Sequence, residues 1–185
     1  MSEARPDDQA YYEIRHEYLS QGDIFRNVPA AYPFPLEDLV VEDPGARRFF
    51  AGPLDDSYGL LITPSCSMQA QRRPLGEYAH PVRAIVPVVA LAQLAADGTI
   101  ASSALPHLRT YDNLINYMYL PASEAFAIPE SVALLWLPVS LHHRQLDGLR
   151  VAQLARAGTQ QLHRKLQWFY TGMADSRAEF DPLLD

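Results

Sequence analysis

Four short apolar runs in this chain each meet a proline. Leu60-Leu-Ile-Thr63 stops at Pro64, Val82-Arg-Ala-Ile-Val86 at Pro87 and Tyr117-Met-Tyr-Leu120 at Pro121, while Ser131-Val-Ala-Leu-Leu-Trp-Leu137 is interrupted at Pro138. Proline has no backbone N–H and cannot continue a sheet ladder, so runs of β-favouring residues bounded this way read as short strands. The 15 prolines against 9 glycines extend the pattern to the connections, which are expected to be numerous and stiff. The run Gly59 to Thr63 is the most buried in character, and it delivers Ser65, Cys66 and Ser67 to a turn at its end.

The remaining elements follow from local signals. Residues 1–10 are polar, acidic and aperiodic and are expected to form a flexible tail. Gly22-Asp23 is a turn signal feeding a short strand through Ile24 and Phe25. A further short strand is expected around Leu39 to Val41 or Arg47 to Ala51, and Gln69 to Ala79 reads as an exposed excursion. Ala90 to Ala96 is rich in helix formers and ends at Asp97-Gly98, a helix stop. Leu108, Tyr111, Leu114, Ile115 and Met118 share one helical face, and Tyr117 to Pro121 then reads as a strand.

From Leu149 to about residue 171, Val151, Leu154, Leu162, Leu166 and Phe169 recur at helical spacing, which predicts one long C-terminal helix with Gly158-Thr159 as a place for a bend. Short strands in the middle and a long helix last predict an α+β fold, a small curved antiparallel sheet or SH3-like barrel closed by that helix. One domain over residues 11–185, with a helical insertion around 90–120, suits the length of 185 residues.

Composition narrows the functional classes. No apolar run approaches the roughly 20 residues needed to cross a bilayer as a helix. A single cysteine excludes an internal disulfide, and with no export-type leader in view a bacterial-type cytoplasm is the expected compartment. The net charge of −7 disfavours sequence-independent binding to a phosphate backbone, since that binding rests on clustered Lys and Arg.

Few residues offer chemistry. Cys66, between two serines at a strand end, is the candidate nucleophile, with Ser65 and Ser67 lining its turn and His80, which opens the next strand, as the candidate base. Asp23 is read chiefly as a turn residue that bonds nearby backbone. His142 and His143 are adjacent, so in a strand they would point to opposite faces and could not share a metal. No His-x-His or His-x-x-x-His spacing occurs, and neither a metal nor a cofactor is expected. Arg83, Arg150 and Arg156 are candidate binding residues. The last two, with Arg144, Arg164 and Lys165, make the C-terminal third the most basic part of the chain; Trp168, Phe169 and Tyr170 add stacking surface for single-stranded RNA. The solvated face of an amphipathic helix is the favoured reading of this segment, and RNA binding the alternative.

The order Gly22-Asp-Ile-Phe25, Gly59-Leu-Leu-Ile-Thr63, Val82-Arg-Ala-Ile-Val-Pro87, Ser131-Val-Ala-Leu-Leu-Trp-Leu-Pro-Val139 and Leu149-Arg-Val-Ala-Gln-Leu154 resembles the strand sequence of the PemK/MazF toxin barrel. That resemblance implies an SH3-like barrel, a homodimer and cleavage of single-stranded RNA. The family's Arg-Pro pair before the second of these strands is replaced here by Ser57-Tyr-Gly59, and its Ser or Thr after the third by Pro87-Val-Val, so the ribonuclease residues do not carry over. Thr63-Pro-Ser-Cys-Ser67, Tyr119-Leu-Pro121 and Arg150-Val-Ala-Gln-Leu154 are also similar to a group of uncharacterised bacterial proteins with a Thr-x-x-Cys strand-end turn. Together these imply a macromolecule-binding barrel in a toxin or defence setting, with a protein partner or second copy bound. The alternatives are a Cys66-dependent enzyme and an RNA-binding protein.

Overall fold

The computed structural model describes residues 11–14, 18–28, 58–68, 81–96, 103, 105–109 and 116–171, and the side chains of Cys66, Ser67 and His107 fall outside that description. The strands are β1 (Tyr12–Glu13), β2 (Asp23–Arg26), β3 (Tyr58–Leu61), β4 (Val82–Ala90), β5 (Tyr117–Leu120), β6 (Ser131–Leu134), β7 (Val139–His142) and β8 (Arg150–Leu154). The helices are α1 (Ser65–Met68), α2 (Leu91–Ala96), α3 (Leu105–Arg109) and α4 (Arg156–Thr171), with a 3₁₀ turn at His143–Gln145. His80, the 1–10 tail, the expected strand within 39–51 and the excursion over 69–79 lie outside the described residues.

The strands form one antiparallel sheet in the order β1-β8-β2-β3-β4-β6-β5, with β7 also paired to β4, and it curls into a half-barrel. This is the α+β, barrel-like architecture that the proline-bounded runs predict. Successive residues alternate between two buried faces. Ile24, Leu60, Val86 and Ala152 are fully buried on one side with Leu162 and Leu166 of α4. Phe25, Leu61 and Ile85 face the other side with Val28, Met68, Leu141 and Leu146. Two covered faces explain why the strands read as continuous apolar runs instead of alternating ones.

Pro87 does not end its strand. β4 continues to Ala90, and Pro87 sits opposite Gly59. The reason lies in the ladder. Ala84 turns its peptide groups toward β3, accepting from the Ile62 amide at 3.0 Å, so by alternation the Pro87 nitrogen faces the opposite edge of β4. On that edge the partner changes, from β7 opposite Val82–Ile85 to β6 opposite Val88–Ala90. The missing N–H falls at the changeover, where no ladder bond is lost. Pro138 marks the same break from the other side, in the turn that separates β6 from β7.

The C-terminal helix is shorter than its sequence pattern predicts. Arg150–Leu154 is strand β8, paired with both β1 and β2, and the helix starts at Arg156. Ala152, Gln153 and Leu154 are all buried because β8 is covered on both faces, and a strand of that kind leaves an apolar pattern that fits helical spacing as well. Gly158 neither splits nor bends the helix into two elements. A Cβ there would lie 3.1 Å from Tyr11 Cζ, so the glycine serves close packing of α4 on Tyr11, the residue before β1.

Among the described residues no helix is long and apolar enough to cross a membrane.

Candidate functional site

The turn after β3, which carries Cys66, is held by two other segments. The Gln21 amide donates to Ser65 Oγ at 3.0 Å, and Gln21 Nε2 donates to the Ile62 carbonyl at 2.7 Å. On its other edge Gln21 Oε1 lies 2.7 Å from His163 Nε2 of α4. The Ile62 carbonyl can only accept, which fixes the Gln21 carboxamide and makes its oxygen the group facing His163. Nε2 of His163 therefore carries a hydrogen, and in the neutral ring Nδ1 holds the basic lone pair. Thr63 Oγ1 accepts from the Ala84 amide at 2.7 Å, tying the start of the turn to β4. The β3 end and α4 thus converge on Gln21 of the β1–β2 connection.

Beside Gln21, Gly22 takes a positive φ of 94°, a conformation that costs a glycine little. Its amide donates to the Leu61 carbonyl and its carbonyl accepts from the Leu154 amide, both at 2.9 Å. One residue so joins the ends of β3 and β8 and aims Asp23 into the sheet. Asp23 is 0% exposed. Its carboxylate accepts from the Ser20 amide at 2.9 Å, Gln153 Nε2 at 2.8 Å and Arg150 Nη1 at 3.3 Å. The first of these is the local turn bond expected for Asp after Gly; the other two come from β8, across the sheet. Burial pushes the Asp23 carboxyl above its ordinary value, and the Ser20, Gln153 and Arg150 hydrogen bonds pull it back without cancelling the shift.

The candidate residues divide by their surroundings. Ser65 is in the turn with its Oγ engaged by Gln21, and Cys66 and Ser67 lie in the single turn α1. Arg150 bridges Asp23 and the Tyr18 carbonyl at 3.0 Å, an internal clamp more than a free cation. Arg83 is fully buried, with Nη1 on its neighbour's Val82 carbonyl at 2.9 Å. Arg156 is exposed at the start of α4. Lys165 is only 9% exposed.

The two adjacent histidines are not on opposite faces. β7 ends at His142 and the 3₁₀ turn begins at His143, so strand alternation does not apply, and the rings stack with centroids 4.7 Å apart at 27°. Even so, no group of three or more His, Cys, Asp or Glu side chains that could hold a metal occurs among the described residues.

Two residues of this region were hidden in the sequence. Gln153 sits within an apolar strand, where a buried amide signals a buried partner, and His163 was one polar residue among many on an amphipathic helix. A second cluster pins α3 to the sheet. Arg109 Nε and Nη2 grip Glu130 at 2.8 and 2.9 Å, and Tyr119 Oη donates to the same carboxylate at 2.7 Å.

No protein-family model matches this chain, and the search of curated proteins finds no relative.

Proposed function

We propose that this barrel is a macromolecule-binding module and that its partner is anionic, with single-stranded nucleic acid the class to test first. The observation that carries the reading is the set of exposed cations and aromatic rings on the sheet turns and α4. Arg144 and Arg156 are exposed, as are Trp136 at 47% and Tyr170 at 59%. Exposed cations and aromatic rings are the side chains that bind a single strand, through backbone charge and base stacking. The toxin or defence setting rests on the sequence resemblance alone.

The direct test is fluorescence anisotropy of a labelled single-stranded RNA titrated with the full chain. Saturable binding that weakens in Arg156→Glu supports the reading; a protein that leaves the probe free overturns it.

A second reading, a Cys66-dependent enzyme, draws on one observation: His163, not described by sequence as a partner of this turn, is joined to it through Gln21. Alkylation of Cys66 with iodoacetamide across pH decides it. A reaction midpoint well below the ordinary thiol value of about 8.5 supports an activated nucleophile, and a midpoint at that value removes it.

A further inference from the structure

The connection from β7 to β8 is capped by a histidine. His142 is extended at φ −72° and ψ 136°, and its Nδ1 accepts the Arg144 amide at 3.2 Å. In return the His142 amide donates to Gln145 Oε1 at 2.9 Å. A backbone amide can only donate, so this cap exists only while Nδ1 is unprotonated. Side chains at such positions are ordinarily Ser, Thr, Asn or Asp, acceptors that do not change protonation near neutral pH. Histidine makes the cap conditional.

What the cap holds is a folded segment. The His143 amide donates to the Pro81 carbonyl at 2.8 Å, Leu146 N to His143 O at 3.0 Å, and Arg26 N to Leu149 O at 2.9 Å. Leu146 is 1% exposed and packs with Phe25, Met68 and Leu141. The His142 ring is exposed, so protons reach it without opening the structure.

We propose that His142 is an acid-released latch: protonation of its Nδ1 withdraws the acceptor from the Arg144 amide and frees the 143–149 segment from the end of β7. The inference goes beyond the binding reading and does not depend on it.

The surrounding charges resist a proton, which confines release to acid pH. Around His143, on which the His142 ring stacks, are Arg83 from β4, Arg144 from the 3₁₀ turn and Asp147 from the turn that follows, so a single carboxylate opposes two guanidinium groups. Two protonated imidazoles stacked 4.7 Å apart would repel one another as well. Burial, then His142 and Arg83, hold the His143 ring below its ordinary value.

Backbone amide exchange on the full chain tests the latch, with rates corrected for the intrinsic pH dependence of exchange. Between about pH 7.5 and about pH 5, on either side of the ordinary histidine value, protection at Arg144 and Leu146 should fall while Ile24, Leu60 and Ala152 stay protected. The expected loss is about fivefold, the equivalent of a cap worth roughly 1 kcal/mol. His142→Asn keeps an acceptor that does not titrate and should stay protected at both pH values, whereas His142→Ala should be weakly protected at both. Equal protection of the unmodified chain at the two pH values overturns the proposal without any variant, and so does an unchanged loss in His142→Asn.

Discussion

Asp23 and Arg150 meet across the β2–β8 pairing, Oδ2 to Nη1 at 3.3 Å, with the carboxylate fully enclosed and the guanidinium 19% exposed. The pair joins the first residue of β2 to the first residue of β8. Taking Arg150 away strands a charged carboxylate in the sheet, with only the Ser20 and Gln153 groups left to satisfy it. Arg150→Met should therefore destabilise the fold by about 3 kcal/mol, measured by urea unfolding. A change below 1 kcal/mol would show that the carboxylate does not depend on this partner.

The same carboxylate gives stability a pH dependence of defined sign. Its folded value is raised, because burial outweighs the hydrogen bonds to Ser20, Gln153 and Arg150. The contribution is fully present below the unfolded carboxylate value of about 3.9 and is lost as pH rises through the raised folded value. The unfolding free energy of the unmodified chain minus that of Asp23→Asn should accordingly shrink as pH rises through this window. A difference that grows instead would mean the hydrogen bonds outweigh burial.

Gly59 is a position of close approach. A Cβ there would lie 2.6 Å from Ile85 Cγ2 and 3.0 Å from Val28 Cγ2, so Gly59→Ala should cost about 1–3 kcal/mol through overpacking. Ile85→Ala in the same chain should relieve part of that cost. Thermal unfolding of the single and double variants reads the coupling.

Arg109 and Glu130 form the better hydrogen bonds, at 2.8 and 2.9 Å, yet their side chains are 40% and 31% exposed. Water screens such a pair. Arg109→Ala should cost less than about 1 kcal/mol, well under the cost of Arg150→Met despite the shorter contacts. A larger loss would make the α3 clamp part of the core.

These contrasts bear on what the sequence can tell. Proline-bounded runs marked the strands because a missing N–H is a local property, and Gly22-Asp23 marked its turn for the same reason. Pro87 defeated that logic because its tolerance depends on which strands flank β4, a relationship between residues far apart in the chain. Arg150 was legible as a basic residue and illegible as the partner of Asp23, since their contact spans 127 positions. Likewise β8 passed for the start of a helix because burial on both faces erases the period-two pattern that would have marked a strand.

The reading of an anionic partner stands or falls on salt dependence. The affinity of the full chain for a single-stranded RNA, measured by anisotropy between about 50 and about 200 mM salt, should fall steadily, with a log–log slope near −0.7 for each phosphate neutralised, and the slope should become shallower in Arg156→Glu. An affinity indifferent to salt, or no binding at the lowest salt, would contradict it.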